Sequence, residues 1–280
     1  MNNNFVLDNG ILIPSIGYGT WKSPNDETTT NAVLCAIKNG YRHIDTAAIY
    51  GNEESIGKAI KTCNVPREEL FITSKVWNTN RGYTSTLDAF EETLKRLELE
   101  YLDLYLIHWP ASSSQFEDWE QINLSTWRAL EKLYKEGKIK SIGVSNFKEH
   151  HLNIILENCE IKPMVNQIEV HPGFVQKETC EFCEKNNILI EAYSPLGSGE
   201  VLKNEKLLSL SQKYGKSVAQ LCIRWCLQHN TLPLPKSVTE SRIIENSDVF
   251  DFKIDEEDMK IMDDIPLSEG LGQDPDKVTF

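Results

Sequence analysis

The amino-acid sequence predicts an α/β fold, a single (β/α)8 TIM barrel in which eight parallel strands alternate with eight helices. Short apolar runs bounded by turn residues alternate along the chain with longer segments of helical periodicity. Barrels of this kind typically need about 250 residues, which suits a chain of 280 residues with 40% apolar and 25% charged residues. No Pro- or Ser-rich linker and no low-complexity block interrupts the alternation, so residues 1–280 are expected to form one domain.

A β-hairpin is expected to precede the barrel and to cap one end of it. Asp8-Asn9-Gly10 separates two apolar runs, Phe5–Leu7 and Ile11–Ile13, and Asn-Gly between such runs is a strong hairpin signal. The eight barrel strands are predicted at Ile16–Gly19, Arg42–Ile44, Phe71–Ser74, Leu102–Ile107, Ile139–Val144, Val165–Ile168, Leu189–Ala192 and Leu232–Leu234. The helices that follow these strands are predicted at Thr28–Lys38, Glu53–Thr62, Thr84–Leu97, Ser125–Glu136, Glu149–Glu157, Lys177–Asn186, Val218–Gln228 and Arg242–Val249.

Two connections are longer than the regular spacing requires. Ala111–Asn123 follows the fourth strand and Gly197–Asn204 follows the seventh, so both are expected to be loops at the active face that can cover a ligand. The chain beyond Pro266 is rich in Gly and Asp and is expected to be irregular.

Composition narrows the classes of partner. A net charge of −13 opposes binding to nucleic acid or to an anionic membrane, so any anionic ligand needs a local basic pocket. The first residues are polar and no apolar run reaches the about 20 residues of a membrane span, which predicts a cytoplasmic protein without a signal peptide or anchor. A monomer is expected.

Seven cysteines are spread over the chain, an odd number that suits reduced thiols better than a disulfide framework. The pairs Cys180/Cys183 and Cys222/Cys226 have the spacing of zinc half-sites. Both pairs lie in segments of helical periodicity, where that spacing also marks one buried face. Packing in the core is the favoured interpretation, and no metal site is predicted.

Ionisable side chains follow three successive strands. Asp45, Lys75 and His108 each end a short apolar run, and Tyr50 lies on the loop after Asp45. The carboxyl ends of parallel barrel strands meet at one mouth, where barrels of this kind carry out their chemistry. Tyr50 could donate a proton to a carbonyl group if the cation of Lys75 lowers its pKa, while Asp45 holds the ammonium and His108 orients the carbonyl oxygen. The alternative is a set of polar residues on the rim of the barrel.

Three tryptophans, Trp21, Trp77 and Trp109, lie within three residues of a predicted strand end. At a barrel mouth they would form a flat apolar wall suited to a small carbonyl compound. They could equally be buried packing anchors. Together with Tyr50 and His108 they are the candidate substrate-binding residues.

Two motifs resemble those of the aldo-keto reductase superfamily. Gly40-Tyr-Arg-His-Ile-Asp45-Thr-Ala, followed by Glu53 and Gly57, resembles its first signature, and Leu234-Pro-Lys236-Ser237-x4-Arg242-x2-Glu245-Asn246 resembles its cofactor signature. The similarity extends along nearly the whole chain and is strongest to the small microbial glyoxal or methylglyoxal reductases, 2,5-diketo-gluconate reductases and protozoal prostaglandin F synthases. The resemblance implies a reductase of small-molecule carbonyl compounds with Asp45, Tyr50, Lys75 and His108 as its catalytic tetrad.

The resemblance also implies NADPH (NADP+) as cofactor, bound without a Rossmann domain, and no strand in this chain is followed by Gly-x-Gly-x-x-Gly. The implied cofactor-binding residues are Gly19, Thr20, Trp21, Asp45, Ser145, Asn146, Gln167, Tyr193, Ser194, Leu196, Lys236, Ser237, Arg242, Glu245 and Asn246. Within this set, Ser145, Asn146 and Gln167 resemble the residues that bind the nicotinamide carboxamide, and Tyr193 resembles the aromatic residue that stacks on the ring. Without the resemblance they would be read as polar strand-end residues and one core aromatic.

A preference for NADPH over NADH is expected from three residues, Lys236, Ser237 and Arg242. A 2′-phosphate carries about −1.5 to −2 charges, and a chain of net charge −13 attracts it only where cations are concentrated. The alternative is that Arg242 merely begins a surface helix.

Two other functions remain open at this level. In a barrel lyase, Lys75 would form a Schiff base with a carbonyl substrate, although a lysine beside Asp45 should stay protonated. A nucleotide-sensing scaffold would keep the fold without turnover. Borohydride trapping tests the first, and NADPH oxidation with a panel of carbonyl compounds tests the second.

Overall fold

A computed structural model describes residues 4–266 and 273–280, with a barrel of eight parallel strands at the centre. The strands in the described residues are β1 Asn4–Val6, β2 Leu12–Pro14, β3 Gly17–Gly19, β4 His43–Asp45, β5 Phe71–Val76, β6 Leu104–Ile107, β7 Ile142–Ser145, β8 Val165–Glu169, β9 Leu189–Tyr193 and β10 Leu232–Leu234. The helices are α1 Glu27–Lys38, α2 Glu53–Thr62, α3 Tyr83–Leu97, α4 Trp119–Lys135, α5 Glu149–Asn158, α6 Lys177–Lys185, α7 Glu205–Tyr214, α8 Val218–Gln228, α9 Glu240–Ser247 and α10 Glu256–Asp263. The predicted (β/α)8 barrel is confirmed.

Strands β3 to β10 follow one another around the barrel in chain order, and each pair is parallel. The circle is completed where β3 meets β10, because the Gly19 amide donates to the Pro235 carbonyl at 3.1 Å. Glycine is required at this seam. A Cβ atom at Gly17 would lie 2.4 Å from a Leu234 methyl group, and one at Gly19 would lie 3.0 Å from the Leu234 carbonyl oxygen.

The hairpin of β1 and β2 is antiparallel, with Phe5 opposite Ile13, as predicted. The Asn9 side chain in its turn donates to the Lys140 carbonyl at 3.0 Å, just before β7 begins. The hairpin therefore covers the end of the barrel at which the strands start. The hairpin leaves the opposite end of the barrel, where the strands end, uncovered. Buried apolar residues fill the space between the strands and the surrounding helices.

Three predictions about the helices and loops are wrong in part. Helix α4 begins at Trp119 instead of Ser125, because Asn123 lies in its second turn and its amide bonds both the amide and the carbonyl of Ala111. The predicted loop Ala111–Asn123 is correspondingly shorter. Helices α7 and α10 were not predicted, and each has a largely polar sequence with only two buried residues.

The Gly197–Asn204 connection contains two short 3-10 turns, Gly197–Gly199 and Val201–Lys203. The prediction for the tail beyond Pro266 falls partly on residues 267–272, which lie outside the described residues. Residues 273–280 contain neither helix nor strand, as predicted. None of the helices in the described ranges has both the length and the apolar character needed to cross a membrane.

The cysteines within the described residues are free thiols. Cys183, Cys222 and Cys226 are fully buried in the apolar core. Burial raises the pKa of the Cys222 thiol to about 12, so it packs as a neutral group.

Candidate active site

The ionisable side chains predicted to meet at the strand ends do so. Asp45 ends β4, Lys75 is the last residue but one of β5, and His108 follows β6 directly. Tyr50 ends a short 3-10 turn after β4. A cavity of about 1300 Å³ opens at this end of the barrel and is lined by Asp45, Tyr50 and His108. Lys75 lies behind its wall.

Lys75 is fully buried and its ammonium has three hydrogen-bond acceptors. Nζ donates to both carboxylate oxygens of Asp45 and to the Thr46 carbonyl, each at 2.8 Å. Asp45 Oδ2 also accepts from Gln167 Nε2 at 2.8 Å. The pair is therefore held rigidly, and the two charges compensate each other.

Tyr50 remains protonated at neutral pH. Burial and, to a lesser extent, the Asp45 carboxylate raise the pKa of Tyr50 well above its usual value of 10. The net lowering of this pKa that was expected from the sequence is therefore wrong. The Lys75 ammonium lies 5.1 Å from the centre of the Tyr50 ring, and burial and the Asp45 carboxylate outweigh any lowering by this charge.

His108 is neutral at the same pH. Burial and the nearby Lys75 ammonium lower the pKa of His108 well below its usual value. Its ring meets those of Tyr50 and Trp77 edge to face, at centroid distances of 5.7 and 5.1 Å. Nδ1 is buried without a hydrogen-bond partner among the described residues. A neutral imidazole offers one N–H donor and one acceptor.

The mouth of the cavity beside His108 is aromatic. The rings of Trp77 and Phe280 are stacked with centroids 5.7 Å apart, and Trp109 meets Phe280 edge to face at 5.3 Å. The side chains of Asn78 and Gln115 each donate to the Phe280 carbonyl at 3.1 Å. Phe280 was not predicted as a site residue, because no local pattern links a C-terminal phenylalanine to a strand 200 positions earlier.

Ion pairs fix the segment that carries Phe280. Lys148, which precedes α5, pairs with Asp274 and with Asp276, the latter at 2.8 Å. His150 Nε2 lies 2.9 Å from the same Asp276 carboxylate. These contacts hold residues 274–276 against the start of α5. The short segment that follows them then brings Phe280 to the cavity.

Polar groups at the ends of β7, β8 and β9 form a connected layer in the cavity wall. Asn146 Nδ2 donates to the His108 carbonyl at 3.0 Å and to Ser145 Oγ at 3.1 Å, and Asn146 Oδ1 accepts from the Tyr193 hydroxyl at 2.9 Å. Ser145 Oγ donates to the Gln167 carbonyl at 2.8 Å. Asn146 and Ser194 have positive φ angles of 63° and 48°, a strained conformation that marks functional sites in many proteins.

Cations lie along the β10 side of the cavity. Lys236 follows β10, and Arg242 lies in the first turn of α9. Within the described residues, neither has an ion-pair or hydrogen-bond partner. Loss of hydration and, to a lesser extent, the charge of Lys22 lower the pKa of Lys236. In a chain of net charge −13, unpaired cations around one cavity indicate an anionic ligand.

The cavity brings together every predicted site residue except Lys75. Its lining includes Gly19, Thr20, Trp21, Asp45, Tyr50, Trp77, His108, Trp109, Ser145, Asn146, Gln167, Tyr193, Ser194, Leu196, Lys236, Ser237, Arg242, Glu245 and Asn246. Lining residues that the sequence analysis missed include Lys22, Ile49, Leu202, Gln273 and Phe280. A cavity at the carboxyl ends of the strands, with titratable groups at its base, is the arrangement found in barrel enzymes.

Comparison with known proteins gives the family. The model of the aldo/keto reductase family matches residues 15–266. Glyoxal reductase of Bacillus subtilis (strain 168) is 54% identical over 280 residues, covering 100% of this chain and 99% of the relative. The 9,11-endoperoxide prostaglandin H2 reductase of Trypanosoma cruzi (strain CL Brener) is 49% identical over 282 residues, covering 99% and 97%. The chain therefore belongs to the aldo/keto reductase family, and the resemblance stated from its motifs is confirmed.

A solved structure agrees with this assignment. The crystal structure of a Gox0644 mutant in complex with NADPH matches with a TM-score of 0.92 and 41% identity, covering 100% of both chains. The family makes this protein an NADP-dependent oxidoreductase.

Proposed function

We propose that this protein reduces aldehydes or ketones to alcohols, with NADPH as hydride donor and Tyr50 as proton donor. One observation carries the proposal. A protonated tyrosine and a neutral histidine line the base of a cavity whose β10 side carries unpaired cations. The tyrosine and the histidine can donate to a carbonyl oxygen, and the cations can bind the phosphate groups of a cofactor.

Reduction adds a hydride to the carbonyl carbon and a proton to the carbonyl oxygen. The bound cofactor supplies the hydride. The Tyr50 hydroxyl holds the proton, and its raised pKa keeps it in place until negative charge develops on the carbonyl oxygen. The neutral His108 imidazole can orient that oxygen through an N–H hydrogen bond. Trp77 and Phe280 form the apolar wall that excludes water.

The polar layer of the cavity wall fits a primary carboxamide such as that of nicotinamide. Both amine hydrogens of Asn146 are used within the protein, and both of Gln167 are used by Asp45 and Glu191. Each amide therefore offers only its oxygen to a ligand. Two acceptors match the two N–H groups of a carboxamide, and the Ser145 hydroxyl can donate to the carboxamide oxygen once it turns away from the Gln167 carbonyl, which takes its one hydrogen without a ligand.

The rest of the cofactor is assigned on the same grounds. The Tyr193 ring, held by its hydroxyl bond to Asn146, is the proposed stacking surface for the nicotinamide. Lys236, Ser237 and Arg242 are proposed to bind the 2′-phosphate. The remaining wall contacts are assigned to Gly19, Thr20, Trp21, Ser194, Leu196, Glu245 and Asn246.

The burial of Lys75 argues against a Schiff-base lyase. Its nitrogen is shared among three oxygen acceptors and does not line the cavity. A Schiff-base lysine must lose its proton and reach the substrate carbon. Lys75 is therefore proposed to act on Tyr50 through its charge alone.

Tyr50→Phe tests the proposal. NADPH oxidation with a panel of aldehydes and ketones should fall by about 10²- to 10⁴-fold, while the dissociation constant for NADPH stays within about twofold. Tyr101→Phe is the matched control, since Tyr101 lies outside the cavity, against Arg67 and Lys140. If the Tyr50 variant keeps more than about a tenth of wild-type turnover with chemistry rate-limiting, Tyr50 is not the acid. If the wild type reduces no carbonyl compound, the proposed function itself fails.

A further inference from the structure

A second carboxyl group lies inside the barrel behind the cavity wall. Glu191 is the middle residue of β9 and is fully buried. Its Oε2 accepts from Gln167 Nε2 at 2.8 Å, and its Oε1 lies 3.8 Å from His43 Nε2. Glu191 does not line the cavity. No role was assigned to it from the sequence, because Leu-Ile-Glu-Ala-Tyr does not show which barrel residue the carboxyl faces.

The contact with Glu191 determines how Gln167 presents itself to the cavity. A glutamine amide has two N–H donors and one carbonyl acceptor. Gln167 uses one donor on Asp45 Oδ2 and the other on Glu191 Oε2, both at 2.8 Å. Turning the amide over would place its oxygen against both carboxyl groups and leave the Asp45 carboxylate facing another acceptor. The amide oxygen is thus the only group that Gln167 can offer a ligand.

We propose that Glu191 is a positioning residue that orients the Gln167 amide so that its oxygen can accept from the carboxamide of the nicotinamide. The inference rests on the proposed function for its choice of ligand. Asp45 alone anchors one of the two N–H groups, and one anchor leaves the amide free to turn about that bond. Glu191 supplies the second anchor, on the other N–H group, and fixes the plane of the amide.

This role needs an acceptor, and it does not need a negative charge. Burial and the Asp45 carboxylate raise the pKa of Glu191 to about 8, which favours the protonated form. The groups that face it are His43 and Asp45 from β4, Gln167 from β8 and, farther away, Lys75 from β5. A protonated carboxyl group still accepts through its carbonyl oxygen, and a glutamine at position 191 would do the same.

The test compares three ligands that differ at one group. NADPH has the carboxamide N–H donors, its 3-acetylpyridine analogue lacks them, and 2′-phospho-ADP-ribose lacks the whole nicotinamide. We expect Glu191→Leu to weaken NADPH binding by roughly 3- to 10-fold, the effect of one lost hydrogen bond. Binding of the other two ligands should change by less than about twofold, because neither uses the Gln167 oxygen. Glu191→Gln should bind all three like the wild type.

A purely structural role gives a different pattern. Glu131→Leu is the matched control, since within the described residues this buried carboxylate bonds only the backbone amides of Glu160 and Ile161, away from the cavity. This variant should lower the unfolding midpoint, and it should not change the dissociation constants of the three ligands relative to one another. Equal weakening of all three ligands in Glu191→Leu, or no weakening of any, overturns the proposal. If the leucine variant folds too poorly for titration, Glu191→Ser, whose shorter side chain cannot reach Gln167, takes its place with the same expected pattern.

The titrations separate this inference from the proposed function. Binding is measured by quenching of protein fluorescence and needs no turnover. A wild type that reduces carbonyl compounds but shows no loss of NADPH selectivity in the Glu191 variants refutes only the positioning role. A wild type that binds no NADPH refutes both.

Discussion

The buried pair of Lys75 and Asp45 leads to a quantitative prediction about stability. Lys75→Met keeps the length of the side chain and removes the ammonium with its three 2.8 Å hydrogen bonds. The Asp45 carboxylate, itself 3% exposed, then keeps Gln167 as its remaining side-chain donor. Removing one partner of a buried ion pair costs about 3–5 kcal/mol, because a charge remains without compensation. We expect a loss of that size in the free energy of unfolding.

The double variant Asp45→Asn/Lys75→Met gives the decisive comparison. Asp45→Asn alone leaves the buried ammonium without a counter-charge and should lower the free energy of unfolding about as much as Lys75→Met. With both charges removed, no buried charge remains without a partner. The loss in the free energy of unfolding of the double variant should therefore be smaller than the sum of the two single losses by about 3 kcal/mol, at the upper end of measured couplings. Guanidinium unfolding of all four proteins at pH 7, followed by fluorescence and circular dichroism, measures this coupling.

An exposed ion pair provides the control. Lys58 pairs with Glu27 on the surface, with 58% and 69% of the two side chains exposed. Lys58→Met should change the free energy of unfolding by less than about 1 kcal/mol. If Lys75→Met costs no more than this control, or if the effects of Asp45→Asn and Lys75→Met are simply additive, the reasoning about a compensated buried pair is refuted.

Three further predictions concern the ligands. Arg242→Ala should raise the dissociation constant for NADPH about 10-fold or more, since a hydrogen bond to a charged group contributes about 1.5–3 kcal/mol. The dissociation constant for NADH should change little. An equal rise for both cofactors contradicts the 2′-phosphate assignment. Phe280→Ala should raise the KM for aromatic aldehydes several-fold, since it removes the ring stacked on Trp77, and should leave NADPH binding unchanged. An unchanged KM would show that the tail is not part of the substrate site. Elemental analysis of the purified protein should find no stoichiometric metal and chelators should not affect activity, whereas one zinc per chain would contradict the interpretation of the cysteine pairs.

The parts of the site that the sequence predicted are those encoded locally. Asp45, Lys75 and His108 each follow a short apolar run, and parallel strands in a barrel bring such positions to one end. The order of parallel strands is therefore enough to place these three side chains together. Helix α7 was missed for the opposite reason. Its sequence is polar, and only Leu207 and Leu210 are buried, too few to give a clear helical period.

Contacts between distant segments could not be predicted in this way. Phe280 reaches Trp77 because Asp274 and Asp276 are held by Lys148, and all these residues lie in segments whose sequences resemble ordinary surface loops. Glu191 presents the same difficulty. Its role depends on which side chain it meets across the barrel, which follows from strand register and shear and not from its neighbours in sequence.

The error about the pKa of Tyr50 shows what the Lys75 and Asp45 pair can do. Proximity to Lys75 suggested a lowered pKa, but burial and, to a lesser extent, the Asp45 carboxylate raise it. An uncompensated ammonium 5.1 Å from the ring would favour ionised tyrosine, which has no proton to give. The compensated pair leaves Tyr50 protonated before the carbonyl group is reduced and still places a positive charge over the ring of the tyrosine from which the proton leaves. In the proposed reaction Asp45 therefore limits the effect of Lys75 on Tyr50 as well as holding Lys75 in place.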